Sequence, residues 1–103
     1  MSSGAFDDLI HSPTRLGIVA LLAAADWVEF RYVRDTAGLS DSALSKQLTT
    51  LEQAGYVEIR KVVSGRRVRT STRLTRAGRS AFAGHVQALQ RILAASGESV
   101  FPR

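Results

Sequence analysis

A chain of 103 residues with 45% hydrophobic and 22% charged side chains is the size and composition of one ordinary globular domain, and its lack of cysteine excludes disulfides and thiolate metal sites. The longest apolar run, Ile18 to Ala25, is too short for a bilayer-spanning helix, which takes about 20 residues, and the Met-Ser-Ser-Gly start shows no signal-peptide pattern, so a cytoplasmic protein is expected. The net charge of +5 is unevenly laid out: eight of the nine acidic residues lie between Asp7 and Glu58, whereas Ile59 to Gly97 holds nine basic residues and no acid, which gives one end of the molecule a field attractive to polyanions.

In chain order, a short helical turn is predicted around Phe6 to Ile10. Ser12-Pro13 then reads as a helix start, with Ser as N-cap and Pro at the first helical position. Leu16, Ile18, Val19, Leu21 and Leu22 make that helix apolar nearly all round, so it is expected to be buried on more than one side. His11, at the junction, is read as a surface or capping residue. The only other histidine, His85, stands near the opposite end of the chain, and no acid is read beside His11. Trp27-Val28-Glu29-Phe30 alternates as a short strand does. Tyr32 to Ala37 forms a short helix stopped by Gly38, with Leu39 plugging the turn.

Ser40-Asp41 caps the next helix, which runs to Ala54 and stops at Gly55. Leu44, Leu48 and Leu51 put one apolar stripe on it. Two helices joined by Gly-Leu-Ser make a helix-turn-helix candidate. Tyr56 to Val63 and Val68 to Leu74 are strand-like, and Ser-Gly-Arg-Arg between them supplies glycine where a hairpin turn needs positive φ. Thr75 caps a last helix from Arg76 to about Ala95, with Ala81, Phe82, Val86, Leu89, Ile92 and Leu93 at 3–4 spacing; the tail after Ser96 is expected to fray.

The predicted fold is α+β and mainly helical: a winged helix-turn-helix with a β-hairpin wing and a C-terminal dimerisation helix. Residues 1–103 form a single domain, with a core over about 12–75 and terminal helices over about 5–25 and 76–95. The segments SPTRLGIVALL (12–22), LSDSALSKQLTTLEQAGYVEIRK (39–61) and RRVRTSTRLTRAGR (66–79) carry a resemblance to the small winged-helix transcriptional regulators of the MarR and ArsR groups. The combination of a Leu-striped helix, Gly-Tyr-Val, a basic hairpin and Leu-Thr-x-x-Gly is the specific part.

On the capped helix, the side opposite the leucines shows Ser42, Ser45, Lys46, Thr49 and Gln53, a small polar face without acids. Such a face fits a major groove about 12 Å wide, where Ser, Thr and Lys bond phosphates or base edges. Arg66 and Arg67, at the hairpin tip, are the leading candidates for flanking backbone or minor groove, followed by Arg69, Lys61 and Arg60; strand alternation forbids that all face DNA together. Phe82, Val86, Leu89 and Leu93 form a seam with steps of 4, 3 and 4, and the resemblance implies that terminal helices pair two subunits into a homodimer.

The reading is therefore a sequence-specific double-stranded-DNA-binding regulator, a homodimeric repressor without cofactor, catalytic residue or metal site. Two histidines and scattered acids do not suit a metal sensor. MarR-type relatives bind small aromatic or anionic ligands; by that resemblance Trp27, Phe30 and Tyr32 are candidates to line an effector pocket. No phosphate loop, nucleophile elbow or acid–base pair points to an enzyme. The competing reading is a winged-helix module for protein or RNA, which would show exposed apolar residues where this chain shows a polar, acid-free helix face.

Overall fold

A computed structural model describes residues 4–97. The elements run α1 (Asp8–His11), α2 (Pro13–Ala23), β1 (Val28–Glu29), α3 (Phe30–Ala37), α4 (Asp41–Gln53), β2 (Val57–Ser64), β3 (Arg67–Leu74) and α5 (Arg76–Ala95). This is the winged-helix order expected from the sequence. The tail expected to fray beyond Ser96 lies, apart from Gly97, outside the described residues.

The starts and stops follow local chemistry. Asp7 caps α1, its side chain accepting from the Ile10 N–H; Ser40 caps α4 by accepting from Ala43, and Thr75 caps α5 by accepting from Gly78. Ser12 occupies the N-cap of α2 as expected, but its side chain makes no capping bond there; Pro13 at the first position sets the helix by geometry alone. Gly38 ends α3 at φ 69°, a left-handed conformation that costs a glycine nothing. Its N–H donates to Asp35 O and the Leu39 N–H to Arg34 O, the paired closure of a Schellman motif, with half-buried Leu39 packed on the core as the plug. Arg34 adds a charged tie across this turn, reaching Asp35 and Asp41 at 2.8 Å each, and its guanidinium holds the Asp35 carboxyl below the usual carboxylate range.

The sheet is antiparallel, in the order β1-β3-β2. β2 and β3 pair over their whole length, from Val57 opposite Leu74 to Ser64 opposite Arg67, so the turn between them is only Gly65-Arg66. Gly65 has φ 62° and Arg66 does not have positive φ, as in a two-residue hairpin with glycine at the first central position. Val28 and Glu29 add a third strand at the base, against Thr72 and Ser71.

One core forms where α2, α3, α4 and the base of the hairpin converge. Ile18, Val19, Leu22, Val33, Leu44, Leu48, Leu51, Val57 and Leu74 are all at most 3% exposed, each stabilising the fold by roughly 1.5–3 kcal/mol relative to exposure. The three leucines are the stripe expected on the fourth helix. The first long helix is less two-sided than its composition suggests: its large buried residues all enter this core, while Gly17 and Ala20 face outward. Arg79 closes the end of α2 by donating to Ala23 O (3.2 Å) and Ala25 O (2.7 Å).

Away from this core the wing and the end of α5 carry mostly exposed residues. The molecule is 55 Å long and 28 by 23 Å across.

His11 is exposed, as expected of a surface residue, but the separation of the two histidines requires a correction. They are remote in sequence but adjacent in space, because the segment before α1 lies along the buried side of α5. The Asp7 N–H donates to His85 Nδ1 at 3.0 Å, and His85 Nε2 lies 3.2 Å from His11 Nδ1. A backbone donor at Nδ1 requires that nitrogen to be bare, so the proton of neutral His85 sits on Nε2 and is donated to His11 Nδ1. Phe6 packs 4.7 Å from both rings. His85 is fully buried, and that burial, with His11 beside it, pushes its pKa below the ordinary value. The acids that the sequence pattern did not connect to the histidines are Asp7 and Asp8. Asp7 also accepts a 2.6 Å bond from the Tyr56 hydroxyl, which pushes the phenol pKa up to about 12. Among the described residues no group of three His, Cys, Asp or Glu side chains is placed to hold a metal ion.

Candidate nucleic-acid interface

Helix α4 presents two opposite faces because its apolar residues recur every three to four positions. Leu44, Leu48 and Leu51 anchor one face in the core; Ser42, Ser45, Lys46 and Thr49 stand exposed on the other. Asp41, the acid of the first turn, is neutralised by Arg34. No large apolar side chain is exposed on α4; among the described residues those are Phe6, Tyr32, Val62, Val63, Val68, Ile92 and Leu93.

Strand alternation divides the wing. Val57, Ile59, Lys61 and Val63 on β2 share a face with Leu74, Thr72, Thr70 and Val68 on β3. This is the face toward α4: Ile59, Lys61 and Thr70 line a cleft of about 380 Å³ together with Phe30, Asp41, Ser45, Leu48 and Thr49. Lys61 therefore joins the side of the recognition-helix candidate, with no ion-pair or hydrogen-bond partner among the described residues. The reverse face carries Glu58, Arg60, Val62, Arg73, Ser71, Arg69 and Arg67.

On that reverse face the basic residues other than Arg67 have partners. Arg60 lies over the Trp27 ring at 4.1 Å and Arg73 over it at 4.5 Å, so the indole takes two guanidinium groups. Arg73 also reaches Asp26 at 3.4 Å and Glu58 at 3.5 Å, so the Glu58 carboxylate faces Arg73 on the reverse face rather than Lys61. Arg69 pairs with Glu29 at 3.2 Å. Arg66 in the turn and Arg67 beside it are exposed and without such partners among the described residues. The nine expected DNA-binding residues thus separate into an outward set (Ser42, Ser45, Lys46, Thr49, Lys61, Arg66 and Arg67) and Arg60 and Arg69, which are engaged internally.

The aromatic candidates for an effector pocket do not converge. Phe30 lines the cleft toward α4, Trp27 is engaged by Arg60 and Arg73, and Tyr32 is 60% exposed on α3.

The seam on α5 also divides. Phe82 packs against the domain's own core, Val86 and Leu89 are half-buried, and Leu93 is exposed beside Ile92. The buried side of α5 is instead Gly78, Gly84, His85 and Ala88. Position could have revealed His85 as interior: it stands three residues after Phe82 and three before Ala88, on one helical face.

The comparisons with known proteins agree with this fold. A family model described as a winged helix DNA-binding domain matches residues 14–93. An uncharacterized protein of Methanocaldococcus jannaschii is 36% identical over 78 residues, which are 76% of this chain and 85% of that protein. The solved structure of a transcriptional regulator homologue from Pyrococcus horikoshii superposes with a TM-score of 0.81 at 24% identity, over 85% of this chain and 87% of that one. The homodimeric winged helix-turn-helix DNA-binding domain of a possible ArsR-family regulator from Mycobacterium bovis matches with a TM-score of 0.58 at 25% identity, over 86% and 74% of the two chains. MarR-family regulators are also among the neighbours that share the fold. On the match from α2 through most of α5, the chain belongs to the winged helix DNA-binding domain family.

Proposed function

We propose that the protein is a homodimeric repressor that binds specific sites on double-stranded DNA, with α4 in the major groove and the wing on the flanking backbone or minor groove. The observation that carries this reading is that α4 and the wing, the elements that would meet DNA, hold four cations without internal partners. Lys46 on α4, Lys61 on the adjoining wing face, and Arg66 and Arg67 at the tip all lack internal partners among the described residues, whereas Arg60, Arg69 and Arg73 on the reverse face have them. The small exposed residues of α4 permit close approach to base edges. Its freedom from exposed apolar side chains favours DNA over a protein partner at that face.

The homodimer rests on Val86, Leu89, Ile92 and Leu93, the apolar residues of α5 that the domain's own core leaves wholly or partly uncovered, and on Phe6 nearby. Two half-sites about 34 Å apart would then be read together. The cleft of about 380 Å³ between α4 and the wing is where a small effector would act, since a ligand on Phe30 and Thr49 would compete with DNA.

Two sets of variants test the assignment. Arg66→Ala and Arg67→Ala should weaken binding to every duplex about equally and lower the log–log salt slope by about 0.9 for each phosphate no longer neutralised. Lys46→Ala and Thr49→Ala should lower the preference for a genomic site over random DNA by roughly 1–3 kcal/mol where the side chain bonds a base edge. A salt-independent wild-type affinity, or helix variants that match wild type on both duplexes, would refute the assignment.

A further inference from the structure

Glu29 stands at the N-cap position of α3, yet its side chain makes no capping bond. Both of its oxygens are used elsewhere. Oε2 accepts from Arg31 Nε at 3.0 Å, in the first turn of α3, and Oε1 accepts from Arg69 Nη1 at 3.2 Å, on the wing. The register explains the reach: Glu29 is opposite Ser71, and Arg69 is the next residue on the same face of β3. These groups line a cleft of about 440 Å³ with Arg67, Phe30, Val68 and Thr70, and the one carboxylate holds two of its three guanidinium groups. Arg67, one step nearer the tip, is the one without a partner among the described residues.

A carboxylate that meets two arginines is chemically what a backbone phosphate offers them. We propose that Glu29 is a specificity-determining residue: it occupies Arg31 and Arg69 as an internal substitute for phosphate and thereby limits sequence-independent DNA binding. This rests on the DNA-binding reading above. Sequence-independent affinity comes almost wholly from cations that neutralise phosphates, so each arginine held by Glu29 is withdrawn from it. The base-reading residues of α4 lie on another element and are untouched by this arrangement. The tie is also weak enough to matter quantitatively rather than absolutely, because the Arg31 and Arg69 side chains are 64% and 52% exposed.

The test is Glu29→Gln, which keeps size and removes charge. Wild type and variant are titrated with a random-sequence duplex and with a genomic fragment selected by wild type, at several salt concentrations from about 50 to 200 mM. The expected result is two- to fivefold tighter binding of the random duplex at low salt, the scale of one exposed ion pair. The salt slope should steepen by about 0.9 for each arginine released, and the ratio of genomic to random affinity should fall. Adding Arg69→Ala to Glu29→Gln should return part of the slope. Equal slopes, or equal weakening on both duplexes, would overturn the proposal and leave Glu29 as a mere structural tie. A wild-type slope of zero on both duplexes would instead refute the underlying DNA-binding reading.

Discussion

Gly78→Ala should destabilise the protein, although the same change in a helix ordinarily stabilises by up to about 1 kcal/mol. Gly78 is buried in the first turn of α5, where the helix crosses the end of α4 and the start of β2. A Cβ at this position would lie 2.1 Å from the Tyr56 carbonyl oxygen and 3.0 Å from its carbon. These are backbone atoms and cannot rotate aside. The carbonyl also accepts the Thr75 N–H at 3.0 Å, the bond that fixes where α5 begins. Relieving the clash means moving the helix start by about 1 Å, which costs about 1–3 kcal/mol in strain, with up to about 1 kcal/mol more for the weakened hydrogen bond.

Net of the helix-propensity gain, the loss should be up to about 3 kcal/mol, or a Tm lower by up to roughly 20 °C for a domain of this size. Gly17→Ala is the internal control. Gly17 sits in α2, where an added methyl group would have no neighbouring atom within 4 Å, so the propensity gain of about 1 kcal/mol should appear undiminished. Thermal and urea unfolding followed by circular dichroism should move the two variants in opposite directions. If both move the same way, the close approach of α5 to Tyr56 is refuted.

The remaining predictions concern pH and assembly. His85 has a folded pKa below its unfolded value, so its contribution to stability is complete above about pH 6.5 and is lost as pH falls through the folded pKa. Protonation would place a proton on Nδ1 against the Asp7 N–H, so Tm should fall as pH is lowered below about 6.5; His85→Gln should flatten that dependence, and an unchanged slope in the variant would assign it elsewhere. Leu89→Glu should split a dimer held by α5, since a buried unpaired charge costs several kcal/mol. Light scattering decides this: a wild-type mass near that of the 11.2 kDa chain at micromolar concentration ends the dimer reading, and a dimer that survives the change moves the interface away from Leu89.

What was legible in the sequence was whatever is set by neighbours a few residues apart. Ser40 and Thr75 announce helix starts by their side-chain oxygens, Gly38 announces a stop by its φ, and Leu44, Leu48 and Leu51 announce a buried face by spacing. The hairpin followed from Val and Thr runs around a single glycine, and even the strand limits differ by only a residue or two from the expected ones, because the turn tightened to Gly65-Arg66. Pairings across the chain were not legible in this way. His85 meets Asp7 across 78 residues and His11 across 74. Nothing in local propensity encodes that meeting; only the helical phase of His85 hinted that it faced inward.

The same distinction governs the basic segment, where composition overstated the footprint. Counted in sequence, Ile59 to Gly97 is an acid-free block. Folded, four of its eight arginines meet acids and carbonyls that belong to earlier parts of the chain: Arg69 meets Glu29, Arg73 meets Asp26 and Glu58, Arg79 meets the end of α2, and Arg91 meets the Gly4 carbonyl. Arg60 is drawn onto Trp27. What remains unpaired on the wing, among the described residues, is Lys61, Arg66 and Arg67, and these lie beside or beyond the face that α4 presents. A uniformly basic half would attract any polyanion in any orientation. Internal pairing on the reverse side of the wing leaves the attraction directional, concentrated where a duplex lying along α4 would also meet the hairpin tip.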